Sequence, residues 1–188
     1  MAGASPSFTD THMVKALLSL EAGPLGRKRL TETLGVGEGS VRTIIKRLDK
    51  QGLISSSLSG HSLTEAGLRE ADRLLERFTK PAAFDSGGLL AGVQSAVVVK
   101  RPFPRVSAVA LRDAALRAGA EGAVTILYDG GYRFLGGGLE ASGYPEFLVN
   151  LSSLPLKPGY AAVIGFASNM HAAEDGALSA AMMLSGLN

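Results

Sequence analysis

"GEGSVRTIIKRLDKQGLI", residues Gly37 to Ile54, carries two opposed faces. At about 100° of rotation per residue, Val41, Ile44, Ile45 and Leu48 fall in one narrow arc of a helix. Thr43, Lys46 and Lys50 fall opposite, with Arg42 and Arg47 on the flanks. The apolar arc is a docking side, so the remaining side meets solvent or a ligand. Cations and hydroxyls placed there suit the phosphates and base edges of a DNA major groove. A solvated surface helix is the alternative that this stretch alone leaves open. At the helix start, Gly39 and Ser40 are small enough for close approach, and free N–H groups favour a phosphate.

The charge of the chain is uneven in a way that singles out this stretch. The 188 residues carry a net charge of only +2. Within residues 27–50, however, seven basic residues (Arg27, Lys28, Arg29, Arg42, Lys46, Arg47 and Lys50) stand against three acidic ones. Residues 81–188 are slightly acidic, so the positive potential is local. There is no cysteine, which excludes disulfides, thiolate metal sites and cysteine nucleophiles. No run approaches the roughly 18 apolar residues of a membrane span, and Met1–Ser7 does not read as a signal peptide. A cytoplasmic protein without membrane association is expected.

Working outward, residues 11–78 are mostly helical in period. Met13, Val14, Leu17, Leu18 and Leu20 predict a first helix capped by Thr11 and ended at Gly23-Pro24. A second runs from about Gly26 to Leu34 and stops at Gly35. The third spans Glu38 to Gln51, with Gly52 as its stop. Two short strands, residues 53–57 and 62–63, turn at Ser59-Gly60. Thr64 then caps a fourth helix with Leu68, Ala71, Leu75 and Phe78 on one stripe.

Three helices, a hairpin and a fourth helix follow the order of a winged helix-turn-helix. "RLTETLGVGEGSVRTIIKRLDKQGLI", Arg29 to Ile54, resembles the second helix, turn and recognition helix of bacterial and archaeal winged-helix regulators. "LTEAG", Leu63 to Gly67, resembles their wing exit. The resemblance implies double-stranded DNA as partner, read by Ser40, Arg42, Thr43, Lys46, Arg47 and Lys50. It sets Arg27, Lys28 and Arg29 where the second helix meets the phosphate backbone. It departs at the tip, Ser57-Leu58-Ser59-Gly60-His61, which has no Arg or Lys; the helix and not the wing is expected to carry the contact.

Residues 80–94, with Lys80-Pro81 and Asp85-Ser86-Gly87-Gly88, read as a linker between domains at 8–79 and 95–188. Beyond it the pattern is strand (96–100), helix (106–118), hairpin around Asp129-Gly130-Gly131, strand (160–166) and helix (169–187). The expectation is an α+β chain whose C-terminal domain is a small α/β sandwich with a mixed sheet. The two-domain order resembles archaeal predicted transcriptional regulators whose C-terminal domain has no assigned function. "LRDAALRAGAEGAVTILYDGG", Leu111 to Gly131, and "VIGFASNMHAAEDGALSAAM", Val163 to Met182, carry that likeness.

The chemistry of this half is sparse. His171, Glu174 and Asp175 lie together at a helix start, where acidic residues also simply complement the helix dipole; no metal and no cofactor is expected. Gly136-Gly137-Gly138 lacks the Lys and the following helix of a phosphate loop. Ser168-Asn169 joins a strand to a helix, a place that holds anions. Arg101 and Arg105 with Ser107 follow another strand end and line the same region if the two strands are neighbours. Arg112 and Asp113 are a further candidate pair, or an ordinary surface pair. A small-molecule effector and a homodimer are the expected partners, the dimer because helix-turn-helix proteins match paired half-sites. Catalysis in the C-terminal half, and a winged helix serving as a protein-interaction module, are the alternatives to a non-enzymatic regulator.

Overall fold

The computed structural model describes residues 8–100, 105–137 and 141–187. The chain divides between Leu75 and Glu76 into two compact units. Among the described residues, no helix is long and apolar enough to cross a membrane.

The first unit holds α1 (Asp10–Leu20), α2 (Arg27–Leu34), α3 (Glu38–Lys50), an antiparallel hairpin of β1 (Ile54–Ser57) and β2 (Gly60–Leu63), and α4 (Glu65–Arg77). Helix α1 starts at Thr9 and not at Thr11: the Thr9 backbone is extended and its N–H donates to His12 Nδ1 at 3.1 Å. Thr11 is buried in the first turn instead. Helix α2 ends on Gly35, whose φ of 67° lets its N–H reach the Thr31 carbonyl at 3.0 Å. A side chain at that left-handed position would be strained, so glycine makes the short turn into α3.

The core of this unit is built from apolar stripes at helical spacing. Leu17 and Leu20 of α1, Leu30 and Leu34 of α2, and Val41, Ile44 and Leu48 of α3 are all buried. Thr64 ties the hairpin to the end of α3. Its hydroxyl donates to the Gly52 carbonyl at 2.6 Å and accepts from the Gly67 N–H at 3.1 Å. The stripe of α4 is Gly67, Ala71 and Leu74, and Leu68 is exposed. Of the expected stripe, Ala71 and Phe78 are buried and Leu75 is half-buried; Gly67 and Leu74 fill the buried side where Leu68 was expected.

The second unit holds β3 (Ala82–Phe84), β4 (Val93–Val99), α5 (Ala108–Arg117), β5 (Gly122–Tyr128), β6 (Tyr132–Phe134), α6 (Pro145–Ser152), β7 (Tyr160–Ala167) and α7 (Met170–Leu184). The sheet order is β3-β4-β7-β5-β6, and every neighbouring pair is antiparallel. The expected mixed sheet is therefore corrected. Strands β4 and β5, joined through α5, do run in the same direction, but β7 lies between them and opposes both. The unbroken apolar run Ala96–Val99 reflects burial on both faces of the sheet, which a central antiparallel strand shares with parallel ones.

The stretch expected as a linker, 80–94, also reads differently in the fold. It contains the edge strand β3 and a loop closed by the buried Gln94 side chain, which accepts from Ser86 N–H at 3.1 Å and donates to the Leu90 carbonyl at 3.2 Å. Its Gly and Pro punctuate turns within a folded unit.

Alternation along the strands gives the sheet two covered faces. On one, Ala96, Ile126, Phe134, Ala162 and Ile164 pack with Phe147 and Leu151 of α6. The rings of Phe134 and Phe147 stack at 5.8 Å, and Phe84 meets Phe147 edge-on at 5.9 Å. On the other, α7 lies so close over β7 that a Cβ on Gly165 would sit 2.5 Å from the Ala173 carbonyl oxygen.

Candidate nucleic-acid interface

Helix α3 presents the faces its sequence prescribes. Val41, Ile44 and Leu48 are buried, Ile45 is half-buried, and Arg42, Thr43, Lys46, Arg47 and Lys50 are exposed. Ser40 is half-buried at the first turn. The exposed side therefore concentrates four cations over two to three turns, with Asp49 the acidic residue among them.

Not every cation on this side is equally available. The Arg47 guanidinium carbon stands 5.0 Å from the centre of the Phe8 ring, a cation–π contact within the same unit. Phe8 precedes the first helix, where no sequence periodicity frames it. The Thr43 hydroxyl donates to the Gly39 carbonyl at 3.0 Å and keeps its acceptor lone pairs outward. On α2, Arg27, Lys28 and Arg29 are all exposed, and Arg29 pairs with Glu32 at 3.1 Å. A surface pair of this kind holds a side chain only loosely. The structure thus carries the nine residues on the two consecutive helices α2 and α3.

The helix start is open. Gly37 caps α3 with extended backbone and no side-chain bond, and neither Gly37 nor Gly39 would bring a Cβ within 4 Å of another group. As a glycine, Gly37 offers no side-chain acceptor to the first turn, and the Ser40 N–H donates to the Gly37 carbonyl at 2.9 Å.

The hairpin differs in character. Leu58 at its tip is fully exposed, and its serines bond one another: Ser57 Oγ lies 2.7 Å from Ser59 Oγ. His61 pairs its backbone with Leu25 and holds Ser56 Oγ 2.9 Å from Nδ1. Burial lowers its pKa below the ordinary imidazole value, the positive charge of Arg27 lowers it further, and Asp49 opposes both. The neutral imidazole adds no charge to the hairpin.

In the second unit Arg105 does not converge with Ser168 and Asn169 as expected. Val93 pairs with Ala167 and Val99 with Ala161, so β4 and β7 run oppositely. Ser168 and Asn169 therefore follow the end of β7 that adjoins the start of β4, while Arg105 follows the far end, roughly 20 Å along the strand. Antiparallel neighbours put successive strand ends at opposite edges of a sheet, which the expectation of converging ends overlooked. Arg101 lies outside the described residues. Asn169 caps α7, accepting from Ala172 N–H at 3.0 Å, and Ser107 caps α5 in the same way at 3.2 Å to Ala110 N–H. Arg112 and Asp113 form an exposed ion pair at 3.2 Å; the length of the arginine overcomes the divergence of adjacent helical positions. Among the described residues, no group of three or more His, Asp and Glu lies close enough to hold a metal ion.

Residues 12–69 match the family described as "PH0730-like, N-terminal domain", and residues 90–184 match "Domain of unknown function (DUF4443)". The chain belongs to the DUF4443 family. The fold of this DUF4443 protein is similar to that of "Hypothetical protein PH0730 from Pyrococcus horikoshii OT3". The two share 31% identity and a TM-score of 0.78 over 96% of this chain and 94% of that one. The likeness to archaeal two-domain proteins, expected from the sequence, holds over both units. No curated protein matches the chain.

Proposed function

We propose that this DUF4443 protein is a DNA-binding transcription regulator whose first unit is a winged helix-turn-helix. In this reading α2 and α3 are the helix-turn-helix, β1 and β2 the wing, and α3 the helix that enters the major groove. The observation that carries it is the outward face of α3. Arg42, Lys46, Arg47 and Lys50 project from a helix whose opposite side is buried in the core, beside an uncapped helix start. Phosphate neutralisation by these residues and by Arg27, Lys28 and Arg29 supplies affinity; Thr43, Lys46 and Lys50 sit where base edges would be read. The second unit pairs two copies, so that two recognition helices meet two half-sites. Small-molecule sensing is not part of this reading, since Arg105 follows the end of the sheet opposite to Ser168 and Asn169.

Binding of a labelled duplex by the full chain, followed by fluorescence anisotropy against salt, tests the reading. Affinity should fall steeply as salt rises, and Lys46→Ala with Lys50→Ala should reduce the log–log slope by about two. Salt-independent binding, or a double variant that binds like the parent, would defeat it.

A further inference from the structure

Helix α5 turns outward a face that the described residues of its own unit leave largely uncovered. Leu111, Ala114 and Ala115 are buried against the unit. Val109, Arg112, Asp113 and Leu116 recur at the intervals i, i+3, i+4 and i+7, and share about 100° of arc on the opposite side. Val109 is 56% exposed and Leu116 45%. Single exposed apolar residues are ordinary. Two of them, two turns apart on one face and flanking an ion pair, place an apolar residue at each end of a charged centre.

The order of this seam is self-complementary. Helix α5 runs from Ala108 to Arg117, so its midpoint falls between Arg112 and Asp113. A two-fold axis through that point lays α5 of a second copy antiparallel across the first. Val109 then faces Leu116 of the second copy at each end, and Arg112 faces Asp113 of the second copy in the middle. We infer that this face of α5 is the surface on which a second copy of the chain docks. The inference rests on the paired-copy part of the function proposed above, and gives that pairing its residues.

Charge selects the second copy over other occupants. The Arg112–Asp113 pair is 3.2 Å apart and exposed in one chain. Two such pairs brought together in reverse order alternate in sign, Arg–Asp–Arg–Asp, with a Val–Leu contact shielding each end. A uniformly acidic or basic partner would meet a like charge at one of the two positions. A pocket of about 200 Å³ beside the seam adds a second complementary feature. It opens between Val109, Arg112, Val124, Phe134 and Leu135. Leu116 of the second copy, seated opposite Val109, is the side chain that meets its rim. Two helical turns cover far less than the roughly 800 Å² per partner of a standard interface, so the dimer is a weak one.

Sedimentation of the full chain without DNA, across micromolar concentrations, tests this. The parent should pass from monomer to dimer with concentration. Arg112→Asp and Asp113→Arg each place like charges across the axis, and each should stay monomeric. An equimolar mixture of these two variants should dimerise again, because each reversed charge then faces its opposite, and a chain carrying both changes should dimerise by itself. Arg112 is exposed and Asp113 half-buried, and unchanged thermal melts verify that the variants fold. A parent that stays monomeric throughout, or single variants that dimerise as the parent does, would overturn the inference. Neither outcome touches the salt slope set by Lys46 and Lys50, so the DNA reading stands or falls separately.

Discussion

The guanidinium of Arg47 rests 5.0 Å above the ring of Phe8, so one of the cations of α3 is seated on the chain's own N-terminal segment. Such a contact at a partly exposed site contributes about 0.5–1 kcal/mol. Phe8→Leu keeps most of the buried apolar volume and removes the ring face. In a double-mutant cycle with Arg47→Ala, read by urea denaturation, the two changes should couple by about that amount. Purely additive losses would mean that the ring does not hold the arginine. Because Phe8 holds its guanidinium in place, Arg47→Ala should also lower the salt slope of DNA binding less than Lys46→Ala does.

Gly165 and Ala177 approach backbone to backbone. A Cβ added at Gly165 would stand 2.6 Å from the Ala177 nitrogen as well as 2.5 Å from the Ala173 oxygen, and neither atom belongs to a side chain that can turn away. Gly165→Ala should therefore lift α7 from the sheet and destabilise the second unit by about 1–3 kcal/mol. Gly143→Ala, in the same unit with nothing within 4 Å, serves as the matched control. It should stay within about 0.5 kcal/mol of the parent in chemical denaturation. Equal effects of the two changes would remove close packing as the reason for Gly165.

These close approaches show where sequence patterning stops being informative. The first unit was legible because its signals are local: the apolar arc of Val41, Ile44 and Leu48, the stops at Gly35 and Gly52, and the cap at Thr64 each act within a few residues. Leu68 and Thr11 were misplaced because a one-residue rotation or a cap two residues earlier satisfies the same periodicity. The order of the sheet was not legible, since β7 is inserted between β4 and β5 by contacts over more than thirty residues, and no local pattern encodes them. The ligand residues failed for the same reason. Arg105 and Ser168 each follow a strand end, and only strand direction decides whether two ends meet. On α5 the residues were legible and their role was not: "VALRDAAL" shows its seam only once the fold leaves that side exposed.

His61 makes the first unit sensitive to acid. Its pKa is lowered in the folded chain, first by burial and then by Arg27, so the fold favours the neutral imidazole. As pH falls through the ordinary histidine value of about 6.5, the unfolded chain takes up a proton before the folded chain does. The stability that His61 contributes is therefore complete above that pH and is lost as pH drops toward the lowered folded value. Denaturation midpoints of the first unit should decline on acidification through this window, and His61→Gln should flatten the decline. A variant with the parent's full pH dependence would assign it to another group.

Gly39 separates stability from binding. It is the second residue of α3, its φ is not in the left-handed range, and a Cβ there would touch nothing within 4 Å. Alanine in a helix with no steric objection should raise stability by about 0.4–1 kcal/mol. In the proposed complex, however, the start of α3 approaches the phosphate backbone, and the added methyl group occupies that approach. Gly39→Ala should therefore yield a protein that resists urea better and binds duplex DNA more weakly. Lys28→Ala, which removes a charge from α2 without touching this approach, should weaken binding with a reduced salt slope, whereas Gly39→Ala should weaken it with the slope preserved. Binding that holds or improves in Gly39→Ala would move the start of α3 away from the DNA and leave its lysine face as the contact.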